Sequence, residues 1–184
     1  MADLFIALIH YPVLDRRGKI VASAITSLDI HDLARSARTY DVRAMYVVHP
    51  VKELRDFAAS VRDRWMNGYG RQFDSLRREA LERVAIVSDL EEAIASIKAV
   101  CGAPPLLVHT SARTQNGVGY DELRNEIERE GPPFLILFGT GFGMAPAIGE
   151  RADRILAPIR GSGGYNHLSV RAAASIILDR LRGR

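Results

Sequence analysis

The chain has 184 residues, 47% of them apolar and 26% charged, with a formal net charge of +3. A single cysteine, Cys101, excludes an intrachain disulfide, and no Cys/His spacing suits a zinc site, so no metal is expected. The first apolar run, Leu4 to Ile9, is too short to span a membrane and lacks a signal peptide's basic flank. One cytoplasmic domain over residues 1–184, with no membrane partner, is the expectation.

Short apolar runs alternate with amphipathic stretches, the pattern of an α/β fold: a mostly parallel sheet with helices on both faces. In chain order the predicted strands are Leu4–His10, Ala44–His49, Val84–Val87, Leu106–Thr110, Phe134–Phe138 and Ile155–Pro158. After the first comes a basic loop, Tyr11 to Ser27, carrying Arg16, Arg17 and Lys19. A helix then starts near Asp29, read as its N-cap, with Ile30, Leu33, Ala34 and Ala37 on one face.

The helix after Pro50 carries Val51, Leu54, Ala58, Val61 and Trp65, and the polar stretch Asn67 to Arg71 reads as a loop. Ser88 with Glu91 three residues later predicts a capping box, followed by Leu90, Ala93, Ile94, Ile97 and Cys101, an inert thiol on an apolar face. The last helix is the most regular, with Val170, Ala173, Ala174, Ile177, Leu178 and Leu181 in one stripe. Arginine far outnumbers lysine and clusters at Arg16/Arg17, Arg35/Arg38 and Arg71/Arg77/Arg78. Such clusters suit phosphate but equally make a solvated surface, and +3 does not itself identify a nucleic-acid binder.

Three segments break the pattern at the carboxyl ends of predicted strands, where open α/β sheets place ligands. They are His109-Thr110-Ser111-Ala112-Arg113; Phe138-Gly139-Thr140-Gly141-Phe142-Gly143-Met144; and Ala157 to His167, containing Ile159-Arg160-Gly161-Ser162-Gly163-Gly164-Tyr165-Asn166-His167. Glycine at this density lets backbone approach a ligand. A dinucleotide fingerprint is disfavoured because Met144 stands where its third glycine belongs. There is no P-loop and no G-x-S-x-G elbow to build a triad on Ser111, Ser162 or Ser169.

Taken together, the chain resembles the SPOUT superfamily of methyltransferases. Asp29-Ile30-His31-Asp32-Leu33-Ala34-Arg35-Ser36-Ala37-Arg38-Thr39-Tyr40-Asp41-Val42 is similar to the first motif of the SpoU-type enzymes. Leu135 to Gly143 is similar to the second, and Gly164-Tyr165-Asn166-His167-Leu168-Ser169-Val170 to the third. The resemblance implies a C-terminal trefoil knot, an obligate homodimer using the first and last helices, and S-adenosylmethionine as methyl donor to RNA, tRNA or rRNA. A SPOUT-fold protein with a non-RNA acceptor, or a non-catalytic cofactor- or RNA-binding protein, stay open as alternatives.

It also implies site residues. His109 to Ala112, Phe138 to Met144 and Ile159 to Leu168 become the cofactor candidates, largely through main-chain groups. Arg35, sharing a helix flank with His31 and Arg38, takes the acceptor-orienting role, and Arg16, Arg17, Lys19 and Arg38 are the RNA-binding candidates. The sequence departs from the motif at Asp29, where SpoU enzymes carry Asn, and at Thr140, near where many carry an acidic residue. Ribose 2′-O chemistry and deprotonation of a base nitrogen by Asp29 or Asp32 therefore both stand open, as does a simple capping role for Asp29. Asn166 and Ser169 are equally readable as caps of the last helix.

Overall fold

The computed structural model describes residues 1–68, 70 and 73–184, which leaves Arg71 of the third arginine cluster, at the end of the Asn67–Arg71 loop, outside the described residues. A fully buried strand, β1 (Leu4–Ile9), forms the middle of the sheet. The chain then makes a small antiparallel hairpin, β2 (Val13–Leu14) and β3 (Ile20–Val21), which the alternation of apolar runs did not disclose. Helix α1 (Ser27–Thr39) leads to β4 (Ala44–Val48), α2 (Lys52–Met66) and α3 (Ser75–Leu81) follow, and β5 (Val84–Val87) ends the first half of the sheet. The second half runs α4 (Leu90–Cys101), β6 (Leu106–His109), α5 (Tyr120–Glu128), β7 (Phe134–Gly139), α6 (Pro146–Gly149), β8 (Arg154–Ile155) and α7 (Val170–Arg182).

The six strands lie in the order β5-β4-β1-β7-β6-β8, and every pairing in this sheet is parallel. Parallel pairing needs crossovers, so both faces are covered, which explains why the strands read as continuous apolar runs. Leu4, Ile6 and Leu8 of β1 face a layer containing Ile30, Leu33, Leu123, Ile127, Ile177 and Leu178 from α1, α5 and α7. Phe5, Ala7 and Ile9 face the other layer, built from Leu90, Ala93 and Ile97 of α4 with Met144 and Ile148. Alternate side chains of one strand thus serve two cores, as the two-residue period requires.

Local chemistry corrects several expectations. The N-cap of α1 is Thr26, whose hydroxyl accepts from the Asp29 amide at 3.2 Å, so Asp29 sits inside the first turn. Likewise Asp89 caps α4, accepting from the Glu92 amide, while the Glu92 carboxylate reaches back to the Ser88 amide at 2.8 Å. The cap is Asp89, one residue later than Ser88/Glu91 suggests, and the returning bond goes to the amide before the cap rather than to the cap's own, so the box is not closed. On α2 only Ala58 is fully buried; Leu54, Val61 and Trp65 pack at the margin of the core, and Val51 is exposed just before the helix.

The last strand is shorter than the apolar run Ile155–Pro158. Only Arg154–Ile155 pair with β6, after which Leu156 forms a parallel bridge with Val118. Here two backbone segments cross so closely that a Cβ on Gly117 would lie 2.7–2.9 Å from Ile155, Leu156 and Ala157 main-chain atoms. No other residue fits at that crossing without moving one of the segments. Beyond it the chain loops out and returns as α7, capped by Ser169 and packed against α1 and α5.

Replacing Asp89 with Ala is expected to lower stability by about 1 kcal/mol, read from the denaturant midpoint. Ser88→Ala should cost a few tenths at most on the same scale, reversing the order that the Ser88 capping reading implies.

Candidate functional site

The loops after β6, β7 and β8 come from strands that are neighbours in the sheet, so they gather at one end of it. They enclose a cleft of about 900 Å³, lined by Thr110–Arg113, Phe138–Gly143, Ala157–Ile159 and Gly164–Val170, with Ala173 and Ile177 of α7 behind. Ser23, Ala24 and Asp29 complete the wall from the segment that enters α1. Ser23 and Ala24 carried no sequence signal: they lie in an unpatterned loop and reach the cleft only because β3 delivers the chain there.

Backbone hydrogen bonds hold the glycine loop after β7 against the β2 segment. Leu14 donates to Gly143 O at 2.8 Å, Phe142 donates to Leu14 O at 3.0 Å, and Ala145 donates to Pro12 O at 3.0 Å. Gly141 has φ +61°, and a Cβ there would lie 3.0 Å from Leu14 O. A Cβ on Gly139 would lie 2.7 Å from Met144 Cγ. These two glycines are therefore demanded by the loop's own packing. Gly143, at φ +109°, meets nothing within 4 Å and leaves its side of the loop open.

The other two loops are tied in turn. The Thr110 hydroxyl donates to Leu137 O at 2.8 Å, and the Arg113 amide donates to Ser111 Oγ at 3.1 Å. Asn166 does not cap α7; its side-chain amide donates to Ala112 O at 3.1 Å, bridging the first and third loops. Ser169 does cap α7, accepting from the Ala172 amide.

Asp29 is the carboxylate on the cleft wall. Its side chain is 14% exposed, accepts from Thr26 Oγ1 at 2.6 Å and lies 3.8 Å from Arg171, which also stands 3.7 Å from Asp32. Arg171 thus links the first turn of α7 to α1 and holds Asp29 from one side.

Several expected site residues lie elsewhere. His109 packs against Gly149, outside the cleft lining, and burial lowers its pKa. Met144 is a core residue, 7% exposed, in the layer with α4. Arg160, Gly161, Ser162 and Gly163 are exposed beyond the lining, whereas Ile159, Tyr165, Asn166, His167 and Leu168 belong to it. Arg35 lies outside the cleft, in a separate groove between α1 and α7 with Ser36, Tyr40, Arg171 and Ser175. The guanidinium of Arg38 is engaged by Glu79 of α3 through two of its nitrogens, a pairing between helices that spacing along α1 could not reveal. Arg77 stacks 4.6 Å over the Trp65 ring and Arg78 lies 3.6 Å from Glu82, so these two are also engaged within the fold. By contrast Arg16, Arg17 and Lys19 are exposed at the tip of the hairpin, where Asp15 accepts from the backbone of Arg17 and Lys19.

A polar chain runs from buried His10 to half-buried Ser23 and Thr140 on the cleft wall, and of these the sequence flagged only Thr140. Thr140 Oγ1 donates to Ile9 O at 3.2 Å, Ser23 Oγ lies 2.5 Å from Thr140 Oγ1, and His10 Nδ1 lies 2.9 Å from Ser23 Oγ. With Thr140 donating to the main chain, Ser23 donates to Thr140 and His10 Nδ1 donates to Ser23, leaving His10 Nε2 a buried acceptor without a partner among the described residues. His49 Nε2 meets Ser23 O at 3.1 Å and its ring lies 5.9 Å from that of His10. Burial lowers the His10 pKa from 6.5 to about 4; nearby Asp29 opposes the shift and His49 adds to it. His10 is thus neutral in the folded protein near pH 7.

Comparison with known proteins agrees with this architecture. A family model described as SAM-dependent RNA methyltransferase matches residues 3–183. An uncharacterized protein of Aquifex aeolicus is 44% identical over 183 residues, covering 99% of this chain and 89% of that protein. A tRNA (guanine-N(1)-)-methyltransferase of Oleidesulfovibrio alaskensis is 41% identical over 181 residues, but the match covers 98% of this chain and only 42% of that protein. More than half of that relative therefore lies outside the match. Among solved structures, a probable methyltransferase from Bordetella pertussis superposes with a TM-score of 0.65 at 19% identity, covering 98% of this chain and 93% of that one. The SpoU methyltransferase AviRb from Streptomyces viridochromogenes, in complex with AdoMet, gives 0.60 at 20% identity, covering 97% and 56%. At these identities the structural matches establish the shared fold. Among the described residues no helix is long and apolar enough to cross a membrane, and no cluster of metal-binding side chains occurs.

Because His10 resists protonation when folded, the unfolded chain binds the extra proton between pH 6.5 and about 4. Stability should fall as pH drops through that window, by a contribution on the order of 3 kcal/mol, and be insensitive to His10 above pH 7. Denaturant midpoints measured from pH 4 to 8 for wild type and His10→Gln check this: the variant should lose that part of the slope.

Proposed function

The chain belongs to the family of SAM-dependent RNA methyltransferases, and we propose that its cleft holds S-adenosylmethionine beside a nucleotide of tRNA or rRNA, with Asp29 taking the acceptor's proton. The observation that carries this reading is the convergence of three loops from adjacent parallel strands on one cleft, with the Asp29 carboxylate on its wall. Such a cleft suits a ligand with an apolar base, a ribose diol and a charged end. Ile159, Leu168 and Ile177 provide apolar surface, main-chain groups of Thr110–Ala112 and Gly139–Gly143 provide donors and acceptors, and Asp29 provides negative charge. When bound, the donor supplies a methyl group on a positively charged sulfur that leaves readily.

What remains for the protein is positioning and the acceptor's proton. Holding the acceptor in line within a closed site supplies several kcal/mol on proximity grounds. Asp29 is suited to accept a proton because Thr26 and Arg171 fix its carboxylate at the cleft wall. Arg171 enters this reading as a positioning residue. Arg35 is removed from the acceptor role within its own subunit, since it lines the α1–α7 groove. There it suits the homodimer that the SPOUT resemblance implies, facing the second copy. His109 and Met144 are dropped from the donor set for the packing reasons given above.

The exposed cations of the hairpin tip, Arg16, Arg17 and Lys19, are proposed as the phosphate grip on RNA, and Arg38 is withdrawn from that set because Glu79 holds it. We also read the tight crossing at Gly117 and the return of the chain into α7 as the C-terminal trefoil knot, in one domain spanning the chain. The cytoplasm, where tRNA and rRNA are modified, is the matching compartment.

The reading is tested with labelled methyl donor and total cellular tRNA and rRNA. Label should enter RNA, be abolished by prior ribonuclease treatment, and appear after digestion either in ribose-methylated or in base-methylated nucleosides. Transfer to protein or small molecules, or none, would sink it. Asp29→Asn should lower kcat by roughly 10²- to 10⁴-fold while S-adenosylhomocysteine still binds by calorimetry. If binding and the denaturation midpoint both collapse instead, Asp29 is structural.

Reversing Arg16 and Arg17 together to Glu should weaken RNA binding and flatten its salt dependence. The log–log slope should shrink by roughly 0.7 for each single-strand phosphate that the hairpin no longer neutralises. Unchanged affinity and slope would remove the hairpin from the RNA interface.

A further inference from the structure

Two aromatic rings at the cleft are left facing water. Tyr165, on the loop after β8, is 78% exposed, and Phe142, on the glycine loop after β7, is 45% exposed, yet both line the cleft. Phe138, near the end of β7 itself, is 2% exposed, so the fold readily buries an aromatic side chain at this end of the sheet. Rings left in water at a ligand cleft are typical of contact surfaces.

We propose that Tyr165, together with Phe142 on the neighbouring loop, is a stacking platform for an unstacked nucleobase of the RNA substrate, and that Tyr165 is not a contact of the methyl donor. The inference rests on the RNA-methylating reading above and adds the form in which the RNA must arrive: single-stranded, or with its target nucleotide turned out of the helix. Neither ring sits on loose chain. The Phe142 amide donates to Leu14 O at 3.0 Å, and Asn166, next to Tyr165, donates to Ala112 O at 3.1 Å. The His167 ring lies 5.6 Å from that of Tyr165 at an interplanar angle of 58°, adding a second π surface and ring nitrogens to the same lip.

Exposed Arg113 is also part of the lining and Arg160 stands on the same loop as Tyr165, so cations for the backbone accompany rings for the base. That pairing is how single-stranded nucleic acid is held without reading a duplex. The cleft's volume, about 900 Å³, is near the upper end for small-ligand sites and leaves room for an acceptor nucleoside beside the donor. A base inside a helix cannot reach an atom deep in such a cleft; an extruded one needs a surface to stack on, and the lip supplies it.

The test uses the full-length protein with Tyr165→Ala, Tyr165→Phe, Tyr165→Trp and Phe142→Ala. Three quantities are measured: S-adenosylhomocysteine affinity by calorimetry, steady-state KM and kcat on total RNA, and solution mass by light scattering. Tyr165→Ala should raise KM for RNA roughly ten- to a hundred-fold with donor affinity within about twofold of wild type. Phe and Trp at 165 should restore it, since each keeps a π face, and Phe142→Ala should weaken RNA in the same sense. A loss of S-adenosylhomocysteine affinity in Tyr165→Ala would make the ring a donor contact; a change of solution mass would make it a subunit contact; unchanged KM would leave it without a role. Each of these overturns the proposal.

A binding experiment that does not depend on turnover separates this failure from failure of the methyltransferase reading. Wild-type protein should bind a short oligoadenylate more tightly than an abasic ribose-phosphate chain of equal length, and Tyr165→Ala should lose that preference. A wild-type preference that survives in Tyr165→Ala, or no preference at all, counts against the platform whether or not RNA is methylated.

Discussion

The crossing of two backbone segments at Gly117 governs the C-terminal third of the molecule. Residues 155–157 pass so close to Gly117 that a single methyl group there would strike three main-chain atoms. The crossing directly follows the docking of β8 on β6, and the loop beyond it is carried to the end of the sheet where the β6 and β7 loops already stand. The same passage lets α7 return between α1 and α5, with Ala174, Ile177, Leu178 and Leu181 buried in the layer under β1. Cleft and helical layer are therefore two results of one constraint. The glycine loop of this site is main chain held by main chain, which suits precise positioning of a ligand better than mobile side chains would.

The division of labour around the cleft follows from what holds each part. Backbone bonds to residues 12–14 fix the glycine loop, so Gly139 and Gly141 serve internal packing, and only Gly143 opens toward free space. The hairpin that makes those bonds also carries Arg16, Arg17 and Lys19 at its tip, so the cations and the glycine loop belong to one hydrogen-bonded unit. Where the chain enters α1, Arg171 of α7 stands between Asp29 and Asp32. A cation in the first turn of a helix is unfavourable toward the helix dipole, and two facing carboxylates offset that cost. The polar chain from His10 through Ser23 to Thr140 ties the hairpin's exit to the glycine loop, with a neutral imidazole as its buried end.

Much of the fold was legible along the chain. Continuous apolar runs such as Leu4–Ile9 and Phe134–Phe138 announce strands buried on both faces, because a parallel sheet with helices on each side leaves no polar face to write. The stripe Ala174, Ile177, Leu178 and Leu181 announces α7 for the matching reason. The three segments at strand ends, two of them rich in glycine, were also visible, and the chain does bring most of them to one cleft. Caps were legible only to within a few residues. Thr26 and Asp89 fill the positions that Asp29 and Ser88 suggested, since several Ser, Thr and Asp residues near each helix start can do so and only backbone conformation selects one.

What the residue order determined by itself was the set of elements, their period and the places where glycine interrupts them, because these follow from local sterics and from burial of one face. What tertiary structure alone decided was which side chains meet. It set Arg38 on Glu79 and away from any substrate, and Arg35 in a groove away from the cleft. It buried Met144 and His10, brought Ser23 and Ala24 to the cleft wall, and left Tyr165 in water. None of those outcomes has a signature in spacing, because each depends on residues far apart in the chain whose meeting is set by the order of strands in the sheet and by the crossing at Gly117.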